Sequence, residues 1–238
     1  NQLEDLREFQ QHLARLDKQL NNPLEPKLGR EVDYSDALNR DDLKGEIGLD
    51  FGRPGPSVWI DFYYRGVLME EVAVKMTKLV RGYAAVQLER LRPDAEWMGI
   101  ERDETYKKLM AFLKERFRKL EESALEREDV PPELFMRLLQ AYSRPIKNYP
   151  DRKCFESTRP GVYHSLAELQ KEIETHGELL MGSMGVQIPD RVVLLRISQH
   201  QALRALLLTE GLGEYTCGDA DEMARIRKLE AGFQARRE

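Results

Sequence analysis

Apolar residues in the first twenty positions recur at steps of three and four: Leu3, Leu6, Phe9, Leu13, Leu16 and Leu20. That spacing places them on one stripe of a helix, with Glu4, Arg7, Arg15 and Lys18 on the wet side. A helix of about 20 residues is marginal alone in water, so this amphipathic arm (1–22) is expected to dock on the body of the protein or on a second copy of itself. Asn21-Asn22-Pro23 stops it, and the polar stretch to Asp42, with Pro26 and Gly29, reads as a linker.

At Glu46 the period changes to two. Ile47, Leu49 and Phe51 alternate with Glu46, Gly48 and Asp50, and a second run, Val58 to Tyr64, follows a connector with two prolines and two glycines. The simplest reading is a short two-stranded antiparallel β-ribbon, which needs something to pack against. The expected partner is a long helix over 66–91, with Leu68, Val72, Met76, Leu79, Tyr83 and Val86 on one face and Pro93 at its end. Gly82 within it implies a close helix crossing or a break, and Lys75, Lys78 and Arg81 trace a basic flank at steps of three.

A second heptad-like stripe, Tyr106, Met110, Leu113, Phe117, Leu120 and Ala124, predicts a helix over 103–127. Pro131 and Pro132 open a short helix to Tyr142. Ser165-Leu166-Ala167-Glu168 is a capping box whose helix closes at His176-Gly177. The apolar run 192–208 reads as a buried helix, with Val192 to Leu195 as an alternative strand. The last helix, 219–233, turns Met223, Ile226, Leu229 and Phe233 inward. The fold class is therefore expected to be mainly α, a short ribbon followed by long helices, with one mainly helical domain over 44–238 behind the arm.

Composition narrows the chemistry. Hydrophobic residues make up 41% of the 238, enough for a sizeable core. The net charge of −5 gives no global field for a polyanion, so any nucleic-acid contact must be a local basic patch. Cys154 and Cys217 share no metal or redox spacing, which argues for a reducing cytoplasmic setting and against a disulfide framework. No leader-like or bilayer-length apolar run occurs, so the protein is expected to be soluble, with a native start trimmed before Asn1.

No catalytic motif is complete. Gly182-Ser183-Met184-Gly185 lacks the first spacing of a nucleophile elbow, and Gly211-Leu212-Gly213 lacks the third glycine of a dinucleotide fingerprint. Glu168, Glu172 and His176 share a helix face, but too few ligands accompany them for a metal. The expectation is a non-enzyme without cofactor or metal. The segment 143–164 is the most unusual: Arg144, Lys147, Arg152, Lys153 and Arg159 interleave with Tyr149, Phe155 and Tyr163, as phosphate and base contact requires. A loop that merely wraps the surface, rings buried and charges wet, reads equally well.

The order of parts, with Pro93-Asp94-Ala95-Glu96-Trp97 after the long helix and Arg159-Pro160-Gly161-Val162-Tyr163 before a capped helix, resembles the AcaB-like regulators of integrative and conjugative elements. The resemblance implies a homodimeric transcriptional regulator similar to ribbon-helix-helix proteins, with double-stranded DNA and other proteins of the transcription machinery as its partners. Glu46, Asp50 and Asp61 on the ribbon would repel phosphates. DNA contact is therefore expected at Arg53, Arg65, Lys75, Lys78, Arg81 and the loop cations Arg144, Lys147, Arg152, Lys153 and Arg159. The two apolar stripes, at the N-terminus and over 106–124, predict a dimer. A protein–protein adaptor assembled through amphipathic helices is the alternative.

Overall fold

Residues 66–91 form two strands rather than a helix, and that difference reorganises the first half of the chain. β-Branched residues crowd a helix but suit a pleated surface, and this stretch carries Val67, Val72, Val74, Val80 and Val86. The computed structural model describes residues 23–40, 42–97, 99–196 and 216–234, with Arg7, Gln10, Gln11, Ala14, Asp17, Lys18 and Leu212. Those N-terminal positions are helical and exposed, while the Leu3–Leu20 stripe lies outside the described residues. The chain divides into two compact units, Asn1–Arg127 and Glu128–Glu238.

The first unit is built on a five-stranded sheet of β1 (Tyr34–Arg40), β2 (Leu43–Pro54), β3 (Ser57–Tyr64), β4 (Val67–Lys75) and β5 (Val80–Leu88), in the order β1-β2-β5-β3-β4. The expected ribbon is not formed, because β5 lies between β2 and β3, antiparallel to the first and parallel to the second. Pro54 and Pro56 have no backbone donor for a hairpin ladder. Their connector passes the start of β5 instead, where the Gly55 N–H donates to the Leu79 carbonyl and the Met76 N–H to that of Pro56. β3 and β4 make the tight hairpin, through Arg65 (φ 49°) and Gly66 (φ 79°), the double left-handed turn that matches strand twist.

Helix α1 (Glu104–Ser123) lies on one face of this sheet. Asp103 caps it by accepting from the Tyr106 N–H at 2.8 Å, and Leu109, Leu113, Phe117, Leu120 and Glu121 are buried. Phe117 rests on Gly82, where a Cβ would stand 2.7 Å from the ring. The glycine that looked like a helix defect is thus the slot for an aromatic ring. Much of the second apolar stripe is consumed inside the unit, which removes its share of the argument for a dimer.

Residues alternate faces along a strand, so Gly48 and its cross-strand neighbour Tyr83 face away from α1. The expected linker covers them. Leu28 and Val32 pack at Gly48, the Arg30 guanidinium lies 4.3 Å from the Tyr83 ring centre, and the Leu24 N–H donates to the Gly66 carbonyl. Residues 23–33 are therefore a strap across the second face, and 34–40 are strand β1.

In the second unit, α2 (Pro132–Ala141) and a 3₁₀ turn (Ile146–Asn148) precede a two-residue ribbon of β6 (Phe155–Glu156) and β7 (Tyr163–His164). α3 (Leu166–His176) has both halves of its capping box, and Gly177 closes it at φ 74°. β8 (Glu178–Gly182) is the centre of a parallel three-stranded sheet, flanked by β9 (Val193–Leu195) and β10 (Thr216–Asp219), and α4 (Ala220–Gln234) follows. Residues 193–195 are a strand, not the start of a buried helix; 197–208 lie outside the described residues. On α4, Ile226 and Leu229 are exposed, against the expected inward face.

The mainly α class is thus overturned: the described residues hold ten strands in three sheets and four α-helices, and the core that resembled ribbon-helix-helix proteins is a five-stranded mixed sheet. The packing of Phe117 makes Gly82→Ala a direct check. The added methyl is expected to lower stability by about 1–3 kcal/mol, seen as a lower urea midpoint at unchanged m-value.

Candidate functional site

A buried carboxylate orders the turn between β4 and β5. Glu121 on α1 has no exposed surface, and its two oxygens accept from the backbone N–H groups of Lys78 (2.8 Å), Leu79 (2.7 Å) and Val80 (2.9 Å). Three successive donors that no strand satisfies are thereby used, which is the compensation a buried charge requires. The turn carries basic side chains on either side of this anchor.

Four of the ten predicted cations lie at this end of the sheet. Lys75 ends β4 opposite Ser57, Lys78 sits in the anchored turn, Arg81 begins β5 opposite Asp50, and Arg53 is at the end of β2. The helical step of three that first grouped Lys75, Lys78 and Arg81 does not exist; a hairpin turn groups them instead. Arg53 Nε lies 3.3 Å from the Asp50 carboxylate, and its Nη1 donates to the Tyr83 hydroxyl at 3.4 Å. The Thr77 hydroxyl and Arg81 Nε are buried here without a hydrogen-bond partner. Unsatisfied buried donors of this kind are uncommon in folded proteins.

Arg65 is separated from that group, at the opposite end of the sheet in the β3–β4 turn. Its guanidinium is 5.4 Å from the Tyr64 ring, which meets Trp97 edge-on at 5.9 Å.

The other five cations belong to the second unit, where Arg152 is engaged in the fold and Arg144, Lys147, Lys153 and Arg159 are exposed. Arg152 donates to the Val130 carbonyl at 2.5 Å and lies over Phe135. Lys153 is 3.5 Å from Glu168, Arg144 donates its N–H to Leu139, and Lys147 and Arg159 are exposed. Tyr149 packs edge-on against Phe135, Phe155 is buried, and the Tyr163 hydroxyl donates to Glu133. The rings expected to stack on bases are thus partly or wholly engaged within the protein. Glu168, although burial pushes it up, is held below the usual carboxylate range by the Ser165 N–H, the His164 ring and Lys153.

Sequence reasoning missed one pair. Asp61 on β3 stands directly opposite Glu71 on β4, a like-charge cross-strand contact that normally destabilises a sheet. Arg30 from the strap reaches Glu71 at 3.5 Å. Burial, then the neighbouring Glu71 charge, raises Asp61 above the ordinary aspartate range, against the pull of Arg30. Burial and Asp61 likewise push the Tyr63 hydroxyl up. No period or motif announces this pair, because the β3–β4 register alone creates it.

The described residues contain no group of three or more His, Cys, Asp or Glu suited to a metal, and no helix among them is long and apolar enough to cross a membrane. Cys154 is buried and Cys217 exposed, and neither is in a disulfide among the described residues. Compared with known protein families the chain matches none, and no curated protein matches it in sequence.

The raised Asp61 fixes the sign of a pH effect. Stability from the protonated carboxyl is full below the ordinary aspartate pKa of about 3.9 and is lost as pH rises through the higher folded value. Asp61→Asn is therefore expected to stabilise the protein at pH 7, with the advantage shrinking toward pH 4. Urea midpoints of both proteins across that range test it; an advantage that grows on acidification contradicts the geometry.

Proposed function

We propose that the chain is a non-enzymatic binding protein that holds a phosphate-bearing polyanion at the basic end of its first sheet. The supporting observation is that Arg53, Lys75, Lys78 and Arg81 lie at the one end of the sheet whose turn Glu121 fixes. In a chain of net charge −5, such a cluster is what local phosphate contact needs. Asp50 is the acid opposite it in the sheet, and it is already shared with Arg53. Duplex DNA, with its closely spaced phosphates, is the polyanion of choice in this reading.

Cations on a sheet end and two tight turns suit backbone contact, which positions a duplex without reading its bases. Sequence discrimination and control of transcription are accordingly assigned to a partner or a second copy. A homodimer in the cytoplasm belongs to the same proposal. The adaptor reading keeps one feature in its favour: among the described residues β1 and β4 each pair with a single strand, leaving edges on which another chain can add.

Counterion release supplies the test. Four cations at about 0.9 each give log affinity against log salt a slope of about −3 to −4, and Lys75→Ala with Lys78→Ala is expected to flatten it by about 2. Fluorescence anisotropy with two unrelated labelled duplexes should show equal weakening of both. Arg152→Ala with Lys153→Ala should leave the slope nearly unchanged. A parent protein that binds neither duplex at low salt sinks the proposal and moves the adaptor reading forward.

A further inference from the structure

The strap and the β3–β4 turn flank an open groove of about 510 Å³ at the end of the sheet opposite the basic cluster, lined by Pro23, Leu24, Lys27, Lys44, Arg65 and Gln87 among others. This volume lies in the range of small-molecule sites, about 300–1,000 Å³. Three of these residues are basic, and Glu25, the acid that also lines it, is 2.5 Å from Lys27. Lys44 and Arg65 have no carboxylate partner among the described residues. Gln87 spends its carbonyl oxygen on the Gly66 N–H at 2.8 Å, which leaves the amide NH₂ as a donor. Pro23, Leu24 and Pro26 add an apolar side, where Leu24 is 45% exposed.

Arg65 adds an independent sign. It occupies a left-handed backbone position, φ 49°, at the first place of a two-residue turn that Asn, Asp or Gly fills without strain. An exposed arginine held there has a conformational cost with no compensating ion pair, and costs of this kind collect where a side chain must be presented.

We infer that this groove binds an organic anion: a carboxylate or phosphate-monoester head taken by Arg65, Lys44 and the Gln87 amide, with an apolar body against Pro23, Leu24 and Pro26. The planar guanidinium gives the head a two-pronged partner, the ammonium adds a point charge, and Pro23, Leu24 and Pro26 give the tail an apolar surface to cover. The same chemistry is offered by a free small molecule and by the C-terminus of a peptide. The site is separate from the basic cluster and does not depend on the polyanion reading.

The test follows the Gly66 and Leu24 amides and the Gln87 side-chain NH₂ by two-dimensional NMR of the full chain, titrated with hexanoate, hexyl phosphate, hexanamide, and a leucine-rich pentapeptide with a free or amidated C-terminus. At least one anionic probe is expected to shift these signals saturably with a dissociation constant of about 1 mM or tighter, and hexanamide to bind at least about tenfold more weakly. Tighter binding of the free-ended peptide than of hexanoate assigns the ligand to a chain terminus; the reverse assigns it to a small molecule. Arg65→Gly relieves the backbone strain while removing the charge, so it should fold at least as stably as the parent and bind about tenfold more weakly. Lys44→Ala is the second variant, with the same expected loss. The inference is overturned if no anionic probe saturates these signals, if hexanamide binds equally well, or if both variants bind like the parent.

Discussion

The buried Glu121 carboxylate is the interaction on which the first unit depends. An ionised group inside a protein is tolerated only when its lone pairs are used, and here three consecutive backbone donors of the β4–β5 turn use them. Removing the carboxylate while the turn stays packed would strand three N–H groups, each costing about 1–3 kcal/mol when buried and unpaired. Docking of the helix and the crossing of β5 between β2 and β3 are thereby coupled.

Around that anchor the two faces of the sheet are closed by different means. On one face the fit is steric, with Phe117 seated on Gly82 and Leu109, Leu113 and Leu120 beside it. On the other a short irregular strap does the covering, held by Arg30 on Tyr83 and Glu71 and by backbone bonds at Leu24 and Asp33. A strap buries less than a helix, so polar groups persist beneath it. Asp61 opposite Glu71 is such a case, with the Arg30 cation supplying part of the compensation.

The same closure distributes the cations. Those near the anchored turn are gathered at one end of the sheet, while Arg65 and Lys44 flank a groove at the other. A cluster of charges at a sheet end suits an extended polyanion, whereas a groove with a few polar donors suits a compact anionic group. In the second unit the basic segment takes a third course: Arg152 and Lys153 are engaged with Val130, Phe135 and Glu168.

Local chemistry made several elements legible from sequence. The capping box at Ser165, the glycine stop at Gly177 and the helix bearing Phe117 and Leu120 rest on contacts within a few residues, and each stands in the structure where periodicity places it. The strand character of Val58 to Tyr64 was readable for the same reason. Residues 66–91 were not, because apolar positions there fit a helical stripe and a pair of alternating strands equally. What decides between them is the pairing of β5 with two strands distant in sequence and the carboxylate of Glu121, more than 40 residues away from the turn it caps. The same holds for function: the basic residues were visible as residue types, but their division between a sheet end, a groove and the second unit follows from strand order and register, which only the tertiary structure decided because non-local hydrogen bonds set them.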